Sequence, residues 1–185
     1  MKFAEPPDRR SKTFKWIADA FAVALVAFVV WRMLVAPRFL APPGRAMPAL
    51  ELSALDGSSY RLNAVPGRTT FLDFWASWCE PCRLSLPLVE RYARAHPEVT
   101  VLAIDAGEPR PLVQAYARDH GLGDVAIDGR GSATAAFGVS AFPTLVVVDR
   151  NGFVRAKWSG FNPAISLAMA NAERELALGS KASGR

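Results

Sequence analysis

The sequence predicts an α/β protein with a mixed central sheet flanked by helices, and three observations support this fold class. Apolar runs of strand length, TTFLDFW and VTVLAID, alternate with segments whose apolar residues recur at helical spacing. A third run, TLVVVD, is followed by a turn and by a second strand pattern, FVRAKW. A closing helical pattern comes last. Because strands joined through helices pair in parallel and hairpin strands pair antiparallel, we expect both kinds of pairing in one sheet.

Two strand patterns ahead of these runs predict an N-terminal β-hairpin. The segments ALELSAL and SYRLNAV lie on either side of Asp56 and Gly57. Asp-Gly is a strong short-range hairpin signal because both residues tolerate the backbone angles of a tight turn. We therefore expect the two segments to pair with each other.

Patterns later in the chain predict a central αβ insertion and the end of the domain. PLVQAYARDHG is typical of a helix that Gly121 ends, and DVAID of a short strand. We expect the folded domain to cover residues 48–178. Residues 179–185 are small or polar and are expected to form a flexible tail.

Composition and charge exclude one class of partner. About half of the 185 residues are apolar (51%), which is enough for a buried core. The net charge is +5, and residues 1–45 account for all of it, with eight Lys or Arg against three acidic residues. Residues 46–185 carry fourteen of each sign. A nucleic-acid-binding domain needs a basic face on its folded part, so no nucleic-acid partner is expected.

A transmembrane anchor is expected over residues 16–36. The chain is apolar without interruption from Ala20 to Trp31, and Trp16 and Trp31 flank the run as interfacial anchors do. A helix over residues 14–36 has a length of about 34 Å, enough to cross a hydrocarbon core of about 30 Å. A cleaved signal peptide and an amphipathic surface helix are the alternatives. The first lacks a clear cleavage site, and the second lacks a polar face.

The flanking segments predict the orientation of this anchor. Residues 1–15 form a basic tail with five Lys or Arg, which the positive-inside rule places in the cytoplasm. Residues 37–47 are rich in proline and predict a semi-rigid linker. We therefore expect a single-pass protein of the inner membrane whose domain lies in the periplasm or an equivalent compartment, where disulfides persist.

Cys79 and Cys82 are the only cysteines in the chain. A framework of several disulfides is thereby excluded, and a structural zinc site needs about four ligands. His96 and His120 each lie at a predicted helix end, where cap or surface roles are expected. No metal site is expected. Redox chemistry remains, together with transient binding of Cu(I) by the two thiolates.

The position of the cysteine pair favours redox chemistry. The pair follows a buried strand and opens a helix, so Cys79 lies where unpaired N–H groups and the helix dipole stabilise a thiolate. The Cys79 thiolate attacks a disulfide, and Cys82, one turn later, resolves the mixed disulfide. Pro81 suits the first turn because its missing N–H needs no partner there.

Two segments carry a resemblance to a known family. DFWASWCEPC resembles the active-site stretch of thioredoxin-fold proteins, and GVSAFPTLVVVDRNG resembles the segment that carries the family's cis-proline. The resemblance implies a thioredoxin-like fold in which Pro143 packs against the disulfide and shapes the peptide groove. It also implies that Phe142 offers its backbone to a bound peptide.

The resemblance narrows to the membrane-tethered TlpA/ResA-like reductases, which include proteins of cytochrome c maturation. The anchor, the first hairpin and the αβ insertion are similar to that group, and the likeness covers about residues 46–178. Ser85 stands where the tethered proteins often have Glu, which weakens assignment to the haem-protein branch. The resemblance implies disulfide-containing envelope proteins as partners and a membrane thiol transporter as electron donor.

Asp73 is a second departure, since the tethered proteins commonly have Asn there and thioredoxin has a buried aspartate. Its neighbours Leu72 and Phe74 predict burial, and burial raises the pKa of a carboxyl group. We expect Asp73 to accept the proton of Cys82 during attack. A water-facing Asp at a strand edge is the alternative. Thioredoxin's partner lysine has no counterpart in this chain.

The residues beside the cysteines bear on contact with a partner and on the direction of electron transfer. Trp78 is expected at the surface beside Cys79 and, with Glu80 and Pro81, to contact the substrate. The Glu80 carboxylate disfavours a neighbouring thiolate. Strong oxidants depend on a stabilised thiolate, so a reductant is expected. A solvated Glu80 without such an effect is the alternative.

The sequence therefore predicts a membrane-anchored, extracytoplasmic thiol–disulfide oxidoreductase that reduces envelope proteins of the cytochrome c maturation or copper-site type. Its own dithiol is the redox group, and no diffusible cofactor is expected. Two alternatives stay open. One is a dithiol oxidase or isomerase of the same fold. The other is a Cu(I)-binding or scaffold module that uses the thiols as ligands.

Overall fold

The computed structural model describes residues 9–34 and 44–182, and in these ranges the chain forms five helices and seven strands. Along the chain they are α1 (Arg9–Leu34), β1 (Leu50–Ala54), β2 (Ser59–Leu62), β3 (Thr70–Trp75), α2 (Glu80–Ala95), β4 (Thr100–Asp105), α3 (Arg110–His120), β5 (Val125–Ile127), α4 (Ser132–Ala136), β6 (Thr144–Val148), β7 (Val154–Ser159) and α5 (Ile165–Ala182).

The seven strands form one mixed sheet in the order β2-β1-β5-β4-β3-β6-β7. Strands β3, β4 and β5 pair in parallel, as expected of strands connected through helices α2 and α3. Strands β6 and β7 pair antiparallel, and the β1–β2 hairpin joins the sheet through an antiparallel pairing of β1 with β5. The predicted mixed sheet, hairpin and αβ insertion are confirmed.

Strand β3 lies between β4 and β6, and all six of its residues are buried. Successive side chains point to opposite faces. Leu72 and Phe74 pack with α4 and the hairpin on one face. Phe71 and Trp75 pack with α2, α3 and α5 on the other face, and Asp73 lies between them. The strand therefore ends beside α2, the helix that the cysteines open.

The folded domain begins earlier than predicted. Ala46 forms an antiparallel bridge with Phe153, ahead of β7. Residues 44–47, the last part of the predicted linker 37–47, therefore belong to the domain, because their backbone groups pair with this edge of the sheet. The rest of that linker, residues 37–43, lies outside the described residues.

The domain also ends later than predicted. Helix α5 continues to Ala182, whereas the prediction ended the domain at residue 178 and assigned a flexible tail to 179–185. The helix packs in the core through its first turns, and its backbone hydrogen bonding continues past the predicted boundary. Residues 183–185 lie outside the described residues.

Helix α1 begins at Arg9, inside the predicted tail 1–15, and covers most of the predicted anchor 16–36. Its large apolar side chains from Trp16 to Trp31 are exposed. In the part of the chain that the structure describes, no helix is both long enough and apolar enough to cross a membrane. The anchor and its orientation stay predictions.

Candidate active site

The two cysteines form a disulfide at the start of α2. The sulfur atoms of Cys79 and Cys82 are 2.09 Å apart. Cys79 is the N-cap of α2, and its Sγ accepts a hydrogen bond from the backbone N–H of Cys82 at 3.2 Å. Pro81 lies in the first turn, where its missing N–H leaves no donor unpaired. The predicted arrangement of the pair between strand and helix is confirmed.

The two cysteines differ in access to solvent. Cys82 is fully buried, and Cys79 keeps 4% of its surface exposed. The cluster around them includes Trp75 of β3 and Val113 of α3. Cys79 is thus the more accessible cysteine, as predicted, although it too is almost completely buried.

The segment that contains the cis-proline packs against the segment that contains the two cysteines. The Phe142–Pro143 peptide bond is cis, as predicted, and Pro143 is buried. Phe142 packs against the cluster that contains both cysteines, and its ring meets the ring of Trp78 edge-on at 6.0 Å. Because Trp78 is 68% exposed, the two rings form an aromatic surface beside Cys79.

Asp73 is buried, and neither of its carboxyl oxygens has a hydrogen-bond partner among the described residues. Burial raises the pKa of Asp73 to about 8, and the nearby charge of Glu90 acts in the same direction. The residues paired with it in register are Ala103 of β4 and Leu145 of β6, so neither neighbour supplies a cation. The prediction of a buried carboxyl with a raised pKa is confirmed, and the water-facing alternative is wrong.

Glu80 forms an ion pair with another residue at the start of α2. Its side chain is 77% exposed and lies 3.3 Å from the guanidinium of Arg83, one turn further along α2. Arg83 was not predicted to lie beside Glu80, although residues three apart are neighbours on a helix surface. Since both charges are in solvent and opposite in sign, the influence of Glu80 on Cys79 is smaller than the sequence suggests.

A polar group beside the cysteines was not predicted. The carboxylate of Glu108, in the loop after β4, accepts two hydrogen bonds from Ser77, two residues before Cys79. Asp105, the last residue of β4, supports that loop. The signal was present in the sequence, because loops that follow two adjacent parallel strands meet at the same end of a sheet.

A second polar group lies at the other end of α2. His96 is the C-cap of α2, in line with its predicted role, and its Nδ1 is 2.9 Å from a carboxylate oxygen of Glu98. One ligand atom of each of His96, Glu98 and Glu173 lies within 4.8 Å of the other two, so the three could hold a cation. No metal site was predicted, and Glu173 is not recognisable from the sequence as a neighbour of His96 because it lies far along the chain on α5.

Comparisons with known proteins agree with this geometry. The family model described as Redoxin matches residues 42–176. The thiol-disulfide oxidoreductase ResA of Halalkalibacterium halodurans is 30% identical over 150 residues, which cover 78% of this chain and 85% of that protein. ResA of Geobacillus thermodenitrificans is 29% identical over 136 residues, which cover 72% of this chain and 78% of that protein.

A solved structure shares the fold. The crystal structure of a Chlorobium tepidum protein designated thiol:disulfide interchange protein DsbE is similar with a TM-score of 0.66 and 29% identity. The similarity covers 72% of this chain and 96% of that chain. The range matched by the family model contains Cys79, Cys82 and Pro143. The chain therefore belongs to the Redoxin family, as a thioredoxin-fold, TlpA/ResA-like thiol–disulfide oxidoreductase.

Proposed function

We propose that this chain is a membrane-tethered, extracytoplasmic reductant that passes two electrons from its own dithiol to disulfides in envelope proteins. The observation that carries the proposal is the position of Cys79, whose sulfur caps the N-terminus of α2 next to Cys82. When the disulfide is reduced, the N–H groups at that terminus stabilise a thiolate. A thiolate is the form of cysteine that attacks a disulfide.

The reaction proceeds through a mixed disulfide. The Cys79 thiolate attacks one sulfur of the substrate disulfide, a new S–S bond forms to Cys79, and the other substrate sulfur leaves as a thiolate. Cys82 then gives up its proton and attacks the Cys79 sulfur. The Cys79–Cys82 disulfide forms, and the second substrate sulfur is released. Two electrons have moved from the dithiol to the substrate, without a diffusible cofactor.

Asp73 is the proposed acceptor of the Cys82 proton. It lies on the same face of β3 as Trp75, which packs in the cluster that holds both cysteines. With a pKa of about 8, the Asp73 carboxyl is protonated in most molecules at neutral pH. The fraction that can act as a base grows as the pH rises, so the second attack accelerates through this range.

The surface around Cys79 suits a protein substrate. Trp78 and Phe142 offer rigid aromatic area, which contributes strongly to contacts between proteins. Pro81 and Glu80 are exposed next to the disulfide and complete the proposed contact surface. In this proposal the Phe142 backbone binds an extended segment of the substrate, and Pro143 shapes the groove in which that segment lies.

The proposed location rests on α1. Its exposed apolar side chains between Trp16 and Trp31 suit a lipid environment, and basic residues precede them. A dithiol outside the cytoplasm needs a source of electrons, which the family resemblance assigns to a membrane thiol transporter. The proposed substrates are apocytochromes or copper-site proteins, whose cysteines must be reduced before the cofactor is inserted.

Cysteine variants test the mechanism. Cys79→Ser should abolish reduction of a protein disulfide, because no attacking sulfur remains. Cys82→Ser should still attack but not resolve, so partners accumulate as mixed disulfides on Cys79 and can be identified from the cell envelope. Reduction at the wild-type rate by both variants contradicts the mechanism.

The reduction potential tests the proposed direction of electron transfer, from this protein to its substrates. Thioredoxin lies at about −270 mV and the strong oxidant DsbA at about −120 mV, and we expect this protein near the lower value. A potential above about −150 mV favours an oxidase or isomerase. Tight Cu(I) binding at Cys79 and Cys82 without disulfide exchange favours a copper-binding module.

A further inference from the structure

The loop after β4 is held in one conformation by Asp105. Its Oδ1 accepts hydrogen bonds from the backbone N–H groups of Gly107, at 2.9 Å, and of Glu108, at 2.7 Å. Gly107 has a φ of +96°, and a Cβ at this position would lie 2.9 Å from the carbonyl oxygen of Asp128, so the turn accepts only glycine without strain. Asp105 is itself fully buried. The sheet therefore determines where Glu108 lies.

Both carboxylate oxygens of Glu108 accept hydrogen bonds from Ser77, and the Glu108 side chain also interacts with the carboxyl group of Asp105. Its Oε2 accepts from the backbone N–H of Ser77 at 2.5 Å, and its Oε1 accepts from the Ser77 hydroxyl at 2.6 Å. Hydrogen bonds to an ionised acceptor are shorter and stronger than those between neutral groups. Both donors of Ser77 are thus held by a side chain 31 residues further along the chain.

Ser77 lies inside the turn that presents the attacking cysteine. The N–H of Cys79 closes this turn by donating to the carbonyl three residues earlier, at 3.1 Å. Ahead of the turn, the N–H of Ala106 donates to the carbonyl of Trp75 at 3.0 Å. The active-site loop, residues 76–79, is therefore attached to the β4 loop both through the end of β3 and through Ser77.

We propose that Glu108 is a positioning residue for the attacking sulfur, held in place by Asp105 and acting through Ser77. It fixes the active-site loop so that Cys79 keeps its place at the N-terminus of α2. The inference rests on the dithiol chemistry of the proposed function, in which the Cys79 sulfur must be aligned with a partner disulfide. No hydrogen bond described for Glu108 reaches either sulfur, so its contribution is indirect.

The carboxylate also places a negative charge beside the loop. In the reduced protein this charge disfavours a thiolate on Cys79 and so opposes the effect of the helix N-terminus. Alignment and charge can be separated by substitution. Glu108→Gln keeps an oxygen acceptor and removes the charge, whereas Glu108→Ala removes both.

The test compares Glu108→Ala, Glu108→Gln and Ser77→Ala in the whole chain. Glu175→Ala is the matched control, because Glu175 is exposed on α5. The rate constant of reduced Cys79 with a small disulfide is measured against pH. The plateau at high pH reports alignment of the thiolate, and the midpoint reports its ionisation. If the residue has a merely structural role, its substitution should lower the melting temperature and leave both the plateau and the midpoint unchanged.

We expect Glu108→Ala to lower the plateau on the order of tenfold, and Ser77→Ala to lower it less because its backbone contact remains. Glu108→Gln should restore most of the plateau and move the midpoint to lower pH, because the charge is gone. The control should match the wild type.

Plateaus of both Glu108→Ala and Ser77→Ala within about twofold of the wild type overturn the inference. If Glu108→Ala does not fold, Ser77→Ala decides by the same criterion. Absence of disulfide exchange in the wild type counts against the proposed function instead.

Discussion

The backbone N–H of Cys82 donates a hydrogen bond to the Sγ of Cys79, so the side chain of the first cysteine caps the helix that contains the second. This contact distinguishes the two sulfurs. The accepting sulfur is the one whose negative charge the helix N-terminus stabilises after reduction, whereas Cys82 has no exposed surface. The order of attack in the proposed reaction follows from this difference.

The first prediction concerns the reactivity of the two thiols. In the reduced protein at neutral pH, iodoacetamide should modify Cys79 at least about tenfold faster than Cys82, because only Cys79 combines thiolate stabilisation with access. Mass mapping of the two cysteines over time measures both rates. Denaturant should bring the rates together. Equal rates in the native protein contradict the assigned roles.

The second prediction concerns proton transfer by Asp73. The rate at which Cys82 resolves a preformed mixed disulfide should rise with pH through about 8, the value to which burial raises the pKa of Asp73. Asp73→Asn should slow this step by roughly a hundredfold and remove the inflection, since an amide accepts no proton. Rapid mixing resolves the step, and the initial attack by Cys79 serves as the internal control. An unchanged inflection in the variant excludes Asp73 as the acceptor.

The third prediction concerns stability against pH. Burial raises the pKa of Asp73 from 3.8 to about 8, so between these values the folded state holds a proton that the unfolded chain has released. The free energy of unfolding should therefore fall as the pH rises from 5 to 9, by about 4 kcal/mol from this group. Denaturant titrations at several pH values measure the fall. In Asp73→Asn the fall should be smaller, and an equal fall in both proteins shows that other groups cause it.

The fourth prediction concerns the charges at the start of α2. Glu80→Gln should raise the reduction potential, because the thiolate loses a repelling charge, and Arg83→Ala should lower it. Each shift should be on the order of 10 mV, since both side chains are exposed. Equilibration with glutathione buffers at low and high salt measures the shifts, and high salt should reduce both. Shifts of the same sign are incompatible with this electrostatic account.

The fifth prediction concerns the aromatic surface. Trp78→Ala should raise KM for a protein disulfide by roughly tenfold and leave the rate with a small disulfide unchanged, because the ring contacts the partner and not the sulfur. Leu178→Ala, at another exposed apolar position, is the matched control. An equal loss with both substrates assigns Trp78 a role in the structure of the loop instead.

Several elements could be predicted because their signals are local. The apolar run of β3 requires burial on both faces wherever the strand lies. Gly121 ends α3 with a φ of +61°, a conformation that its missing side chain makes easy. The predicted domain boundaries differ from those in the structure because their signals are not local. Whether residues 44–47 and the end of α5 join the domain depends on pairing and packing with distant segments, which composition does not report.

The sequence by itself determined the chemistry of this protein, because Cys79 and Cys82 are joined by a short stretch whose helix-opening geometry is a local property. Only the tertiary structure decided what surrounds them. The pairing of β3 with β4 brings the loop of Glu108 to Ser77, and the pairing of β3 with β6 brings Phe142 to Trp78. These contacts depend on strand register across long stretches of chain, and no local pattern specifies that register.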